Sequence, residues 1–236
     1  MPAASNNPHD GTWRKPILCY VTGRKSLDLA VPADALLGIV ELEKEIHAAV
    51  DAGVDWVQIR EKDLPGREML ALVRKAAALG RAKDGRVIVN DRLDVALAAG
   101  ATGVHLGRES LPAQEVVAWR RAGNAPAGFL IGVSCHSLKE ARAAELAGAS
   151  YIFFGPVFDT PSKQSFGAPQ GLARLSEVCR SVAIPVIAIG GISQANGLEC
   201  LQAGGAGIAA IRLFQAARKS GELEEIIARL HGSASD

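Results

Sequence analysis

Several basic side chains of this sequence stand where short apolar runs give out. Arg60 and Lys62 close the run that begins at Trp56, Arg108 follows the run at 103–106, and Arg212 follows 207–211. Lys163 lies in a polar stretch after 151–155. Gathered at one mouth, these cations repel one another unless an anion joins them, and a phosphate or diphosphate is the anion such a cluster suits. Asp91 and Glu109 are acids in the same kind of position. One carboxylate, with diphosphate oxygens and water, is a common way to hold Mg²⁺, which makes Asp91 the first candidate metal ligand. The bland alternative is an ion pair between Asp91 and a neighbouring arginine. The Gly190-Gly191 pair lets backbone N–H groups approach a phosphate with no Cβ in the way, and Gly204-Gly205-Ala206-Gly207 is read in the same sense. The segment 159–167 is long and polar, with Lys163 and the hydroxyls of Thr160 and Ser162. It reads as a lid that grips phosphate.

Other reactive side chains call for quieter roles. Ser134 lacks the strained turn of a nucleophilic serine and reads as a hydrogen-bond donor. His136, beside Ser134 and Ser137, divides evenly between a substrate contact and a structural role, whereas His105 inside Gly-Val-His-Leu-Gly reads as structural. Cys135, Trp56 and Trp119 are assigned to packing.

The elements that must position these groups are written in the hydrophobic pattern. Continuous apolar runs occur at 17–22, 56–60, 86–90, 103–106, 130–134, 151–155, 186–190 and 207–211. Such runs, unlike alternating ones, mark strands buried on both faces. Helical spacing fills 37–50, 64–79, 111–121, 138–147, 170–182, 193–203 and 221–230. Pro65 and Pro112 open two of these, and Ser137 with Glu140 forms a capping-box pattern before a third. A phrase recurs as Ala52-Gly-Val-Asp-Trp-Val57, Ala99-Gly-Ala-Thr-Gly-Val104, Ala147-Gly-Ala-Ser-Tyr-Ile152 and Ala203-Gly-Gly-Ala-Gly-Ile208. Each is a helix ending at glycine just before a strand. Eight strands, all but the third followed by a helical stretch, predict a single-domain (β/α)8 TIM barrel rather than a doubly wound sheet. The barrel spans 15–230, after a flexible leader at 1–14 and before a flexible end at 231–236. Its active site belongs at the carboxyl ends of the strands, where the residues above would meet.

Composition narrows the function. The net charge of +1, from 26 Lys+Arg against 25 Asp+Glu, excludes the broad basic footprint of a nucleic-acid binder. No apolar run approaches the ~18 residues of a membrane span. Four widely spaced cysteines suit a reduced cytoplasm. The expected partners are small phosphorylated molecules, with no nucleic acid and no membrane; a homo-oligomer is left open.

Six motifs in order carry a resemblance. Gln58-Ile-Arg60-Glu61-Lys62, Val89-Asn90-Asp91-Arg92, Gly103-Val-His-Leu-Gly107, Gly155-Pro-Val-Phe158, Thr160-Pro-Ser162-Lys163 and Ala188-Ile-Gly-Gly-Ile192 resemble the thiamine phosphate synthase and thiazole tautomerase superfamily, from about 17 to 217. The resemblance implies a TIM-barrel transferase of thiamine biosynthesis. Its reaction would join hydroxymethylpyrimidine diphosphate to thiazole phosphate, with Mg²⁺ as cofactor. It would place Arg60, Lys62, Asn90 and Lys163 on the diphosphate, Asp91 on Mg²⁺ and Gln58 on the pyrimidine. Ser134 would hold diphosphate or pyrimidine, and Arg60, Lys62, Ser134 and Lys163 would be the catalytic set. Thr160, Ser162 and the Gly191 backbone would hold the thiazole phosphate, assisted by the backbone at Ile211 and Arg212. His136 is counted with the substrate-binding side chains.

The sequence departs from that pattern in places. Ser110 stands where the family has a second acidic metal ligand, so that ligand becomes Glu109 or Ser110 here. Arg212 replaces a small serine, and Gly23 a frequent aspartate. The tautomerase branch uses the histidine at the position of His136 as a proton shuttle, and tends to lose the lysine and acid that this chain keeps as Lys62 and Asp91. Their retention favours the synthase; a tautomerase-like isomerase and a non-catalytic phosphate-binding barrel are the alternatives.

Overall fold

The structure, a computed structural model, describes residues 15–27, 35–160 and 168–232. Its strands are β1 (Ile17–Val21), β2 (Trp56–Ile59), β3 (Arg86–Asn90), β4 (Gly103–Leu106), β5 (Leu130–Cys135), β6 (Tyr151–Phe154), β7 (Val186–Ile189) and β8 (Gly207–Ala210). All pair in parallel with their sequence neighbours, and β1 meets β8 to close an eight-stranded barrel. The register Cys19↔Trp56 and Ile17↔Gly207 fixes which side chains face inward. Because strand side chains alternate, Cys19, Trp56, Ile88, Leu130, Phe153 and Ile187 fill the interior while Leu18, Val57, Val87 and Ile152 pack outward under the helices.

Helices α1 (Ala35–Asp51), α2 (Gly66–Ala82), α3 (Leu93–Ala99), α4 (Ala113–Trp119), α5 (Leu138–Ala147), α6 (Gly171–Ser181), α7 (Gly197–Gln202), α8 (Arg212–Ser220) and α9 (Leu223–Gly232) surround the barrel. The sequence pattern does not resolve α3 and α8. Both are short, lack a side-chain N-cap bond and begin two or three residues after the last residue of a strand, so their first turns read as strand ends. The four recurring glycines, Gly53, Gly100, Gly148 and Gly204, have φ of 68–100°, the left-handed turn that side chains with a Cβ avoid.

The Gly204–Gly207 reading is corrected. These residues join α7 to β8 at the amino-terminal end of the strands, opposite the mouth. Gly205 N–H closes the helix onto Cys200 O at 3.0 Å, and a Cβ on Gly207 would lie 2.2 Å from Ile17 O. The glycines serve close packing, not phosphate.

The leader at 1–14 lies outside the described residues, as does 233–236. Residues 231 and 232, expected in a flexible end, instead complete α9. His231 Nε2 lies 2.9 Å from Asp55 Oδ2, which also accepts Leu18 N–H at 2.9 Å, while Lys15 Nζ reaches Oδ1 at 2.7 Å. Burial raises the Asp55 carboxyl, but the bonds from His231, Lys15 and Leu18 outweigh it and hold the group below its ordinary value. A carboxyl depressed in the folded state stabilises above its unfolded pKa of about 4 and loses that contribution as pH falls further. Asp55→Ala is expected to lower unfolding stability by about 1–2 kcal/mol at neutral pH. Urea unfolding should show the difference from wild type shrinking below about pH 4.

Candidate active site

The mouth begins at the end of β2. Gln58 faces inward and is 2% exposed; Arg60, two residues on, shares its face. Thr22 Oγ1, buried at the end of β1, accepts Arg60 N–H at 2.8 Å. Glu61 turns the other way, where its carboxylate accepts Arg24 N–H at 3.1 Å and Arg24 Nη1 at 3.0 Å. Arg24 is in turn bidentate to Asp63, at 2.6 and 2.8 Å. The bond to Asp63, opposed by burial and aided by Glu61, raises the Arg24 guanidinium above its usual range, and the same contact holds Asp63 well below the usual carboxylate range. This clamp fixes the strand end between two cations, Arg60 and Lys62.

A polar chain then crosses the ends of three strands. Gln58 Nε2 donates to Asn90 Oδ1 at 3.3 Å, and Asn90 Nδ2 donates to Asp91 Oδ2 at 2.6 Å. Ser110 Oγ accepts Gly107 N–H at 2.6 Å and donates to Asp91 Oδ1, which also receives Gly107 N–H at 3.4 Å. Asp91 sits at φ +62°, a conformation aspartate tolerates better than most residues. The arginine pairing set against metal binding does not form: Arg92 turns to Asp94, with bonds of 2.9 and 2.6 Å. Ser110, not the exposed Glu109, is the residue that meets Asp91.

Across the mouth, Ser134 Oγ lies 2.8 Å from His105 Nε2. His136 Nδ1 donates to the Gly155 carbonyl, so its ring is pinned at the end of β6. The outward-facing Cys135 thiol is pushed up to about 12, chiefly by burial, and is no thiolate nucleophile.

On the far side, the β7–α7 turn packs against the β6–α6 loop. A Cβ on Gly191 would lie 2.5 Å from Asp159 O and 2.7 Å from Phe158, so the Gly191 backbone borders the segment that reaches Thr160. Asn196 braces this turn, donating to Gly191 O at 3.1 Å and accepting Ser193 N–H at 2.8 Å. Ile211 leans on Gly23, where a Cβ would approach its Cγ2 to 3.0 Å, and Arg212 starts α8 exposed. Ser162 and Lys163 lie outside the described residues.

Two features set the electrostatics. Arg60, Lys62, Arg108 and Arg212 form no salt bridge among the described residues, although Arg24, Lys25 and Arg92 nearby in sequence are paired. A cavity of about 230 Å³ opens between Glu61, Lys62, Asn90, Asp91 and Arg92, backed by Leu64 and Met69. A larger depression along α5, lined by Leu138, Lys139, Arg142, Ala143 and Leu146, gathers no comparable polar groups. Within the lining, and among the described residues, Lys62 is the unpaired cation, Arg92 being held by Asp94, and a free cation beside polar groups suits an anion.

Residues 31–214 match the model of the family described as thiamine monophosphate synthase. The chain belongs to the thiamine monophosphate synthase family. The thiamine-phosphate synthase of Roseiflexus castenholzii is 40% identical over 210 residues, covering 89% of this chain and 86% of the relative. That of Methanoculleus marisnigri is 42% identical over 185 residues, 78% and 85% of the two chains. Among solved structures, thiamine phosphate pyrophosphorylase from Pyrococcus furiosus superposes with a TM-score of 0.73 at 34% identity, covering 93% of this chain and 99% of that one. Like these synthases, the chain is a transferase.

The structure joins Gln58, Asn90, Asp91 and Ser110 into one hydrogen-bonded rim, with Arg60 beside Gln58 on its strand end and Ser134 and His136 at the end of β5. Sequence reasoning missed two features: the Arg24–Glu61 clamp and the contact of His105 with Ser134. The first left a signal in the acid placed between two basic side chains. The second left none until the strand register showed His105 facing inward.

Proposed function

We propose that this chain joins hydroxymethylpyrimidine diphosphate to thiazole phosphate, giving thiamine phosphate and diphosphate, and does so in the cytoplasm. The observation that carries the reading is the set of unpaired cations beside the Gln58–Asn90–Asp91–Ser110 chain. In the reaction the C–O bond to diphosphate breaks, its electron pair leaving on oxygen, and the thiazole nitrogen then forms the new C–N bond with the pyrimidine methyl cation. Negative charge grows on the departing diphosphate, so preset cations stabilise the transition state more than the ground state. Arg60, Lys62, Asn90 and Lys163 take that role, with Ser134 as a further donor. Gln58, 2% exposed inside the barrel, is suited to the pyrimidine edge. Thr160, Ser162 and the Gly191 backbone take the thiazole phosphate, with Ile211 and Arg212 beside them, and His136 borders the substrate.

The residues fit Mg²⁺ held partly by substrate. A carboxylate offers about four lone-pair positions. Asn90, Gly107 and Ser110 use three at Asp91, which leaves one for a cation. No group of three or more His, Cys, Asp or Glu that could hold a metal occurs among the described residues, and diphosphate oxygens with water would complete the shell. Mg²⁺ bound there supplies positive charge to the leaving group.

Ser110→Asp would set a second carboxylate against Asp91. It is expected to reduce the Mg²⁺ needed for half-maximal activity several-fold, and to lower the melting temperature without metal through like-charge repulsion. An unaltered Mg²⁺ dependence would place the metal elsewhere. The diphosphate assignment itself is tested by inhibition: Mg²⁺ and inorganic pyrophosphate should compete with the pyrimidine diphosphate, and a purely non-competitive pattern would contradict it.

A further inference from the structure

Below the mouth, the barrel interior holds polar groups to which the reaction as described gives no task. Tyr151 is 1% exposed and packs edge-on against Trp56, with ring centroids 4.8 Å apart. Its hydroxyl lies 3.1 Å from His105 Nδ1, and the opposite ring nitrogen, Nε2, lies 2.8 Å from Ser134 Oγ. Phe153 lies along the imidazole at 4.2 Å. Gly132 keeps the space open: a Cβ there would fall 2.1 Å from Tyr151 Cζ and 2.6 Å from His105 Nδ1.

The direction of this chain follows from its buried end. Burial raises the Tyr151 phenol well above its ordinary pKa, so the hydroxyl keeps its hydrogen. A buried O–H donates to an acceptor within reach, and His105 Nδ1 is at that distance. With Nδ1 accepting, the proton of the neutral ring sits on Nε2, a tautomer assigned from the network. Nε2–H then donates to Ser134 Oγ, and the serine's own hydrogen is left for a group in the mouth. In the opposite tautomer Ser134 would spend its hydrogen on Nε2 and offer an anion only lone pairs.

We propose that Tyr151 and His105 are positioning residues that hold Ser134 as a hydrogen-bond donor to an anionic oxygen of the substrate. This rests on the reading of Ser134 as a substrate contact. The test compares wild type, Ser134→Ala, Tyr151→Phe and the double variant by kcat/KM for condensation, and by calorimetric binding of inorganic pyrophosphate with Mg²⁺. Ser134→Ala should lower kcat/KM about tenfold and Tyr151→Phe several-fold, with the double variant no worse than Ser134→Ala alone. Pyrophosphate affinity should follow the same non-additive pattern, which a general loss of packing would not produce. His105→Gln, whose amide can still donate towards Ser134, should retain more activity than His105→Ala. If Ser134→Ala is silent, the substrate contact and the positioning role both fall. If Ser134→Ala is impaired but the Tyr151→Phe loss is absent or adds in full, the positioning role alone is overturned.

Discussion

Lys62→Ala is expected to lower turnover by about 10²-fold or more, equivalent to about 3 kcal/mol of transition-state stabilisation. Three observations set that size. Lys62 lines the 230 Å³ cavity with Asn90 and Asp91, and it forms no salt bridge among the described residues. Its neighbour Glu61 is 3% exposed and clamped by Arg24, so truncating Lys62 leaves the strand end in place. The charge it meets is largest as diphosphate departs, so kcat should fall more than KM rises. The melting temperature should stay near wild type, because an exposed, unpaired lysine contributes little to stability. Steady-state kinetics with the pyrimidine diphosphate varied would check this, and unchanged kinetics would remove Lys62 from the site.

Asp91→Asn tests the metal side with equal force. Asparagine tolerates φ +62° about as readily as aspartate, and its one carbonyl oxygen can still accept from Asn90 while its NH2 donates to the Ser110 hydroxyl, so folding stability should hold within about 1 kcal/mol. The negative charge is lost. Activity at low Mg²⁺ is expected to fall about 10²- to 10³-fold and to recover partly at high Mg²⁺, as for removal of a metal-held electrostatic contact. Calorimetric titration of Mg²⁺ with pyrophosphate present gives an independent reading, with weaker binding expected. A wild-type Mg²⁺ dependence would show that Asp91 is not the ligand.

Much of this architecture was legible because parallel strands buried on both faces must be continuously apolar. Ile17 to Val21 and Val186 to Ile189 announce themselves that way, and the repeated Ala-Gly joints mark the start of four strands. The mouth followed from counting strand ends. The failures share one cause: short segments read by composition alone. Gly204–Gly207 has the composition of a phosphate loop, yet it sits at the wrong end of its strand. Arg212 looked like a strand terminus and is the first residue of α8. His105, read from its apolar run as structural, is indeed buried, and the register β4 to β5, with His105 opposite Gly132, adds its contact with Ser134.

The most direct measurement is to supply the purified protein with Mg²⁺, hydroxymethylpyrimidine diphosphate and thiazole phosphate, then quantify thiamine phosphate by fluorescence after oxidation and diphosphate by a coupled assay. Equal amounts of the two products, formed only when both substrates are present, are the expected result. A folded protein that releases neither, or that only isomerises the thiazole offered alone, would contradict the assignment of the cation-lined mouth to condensation.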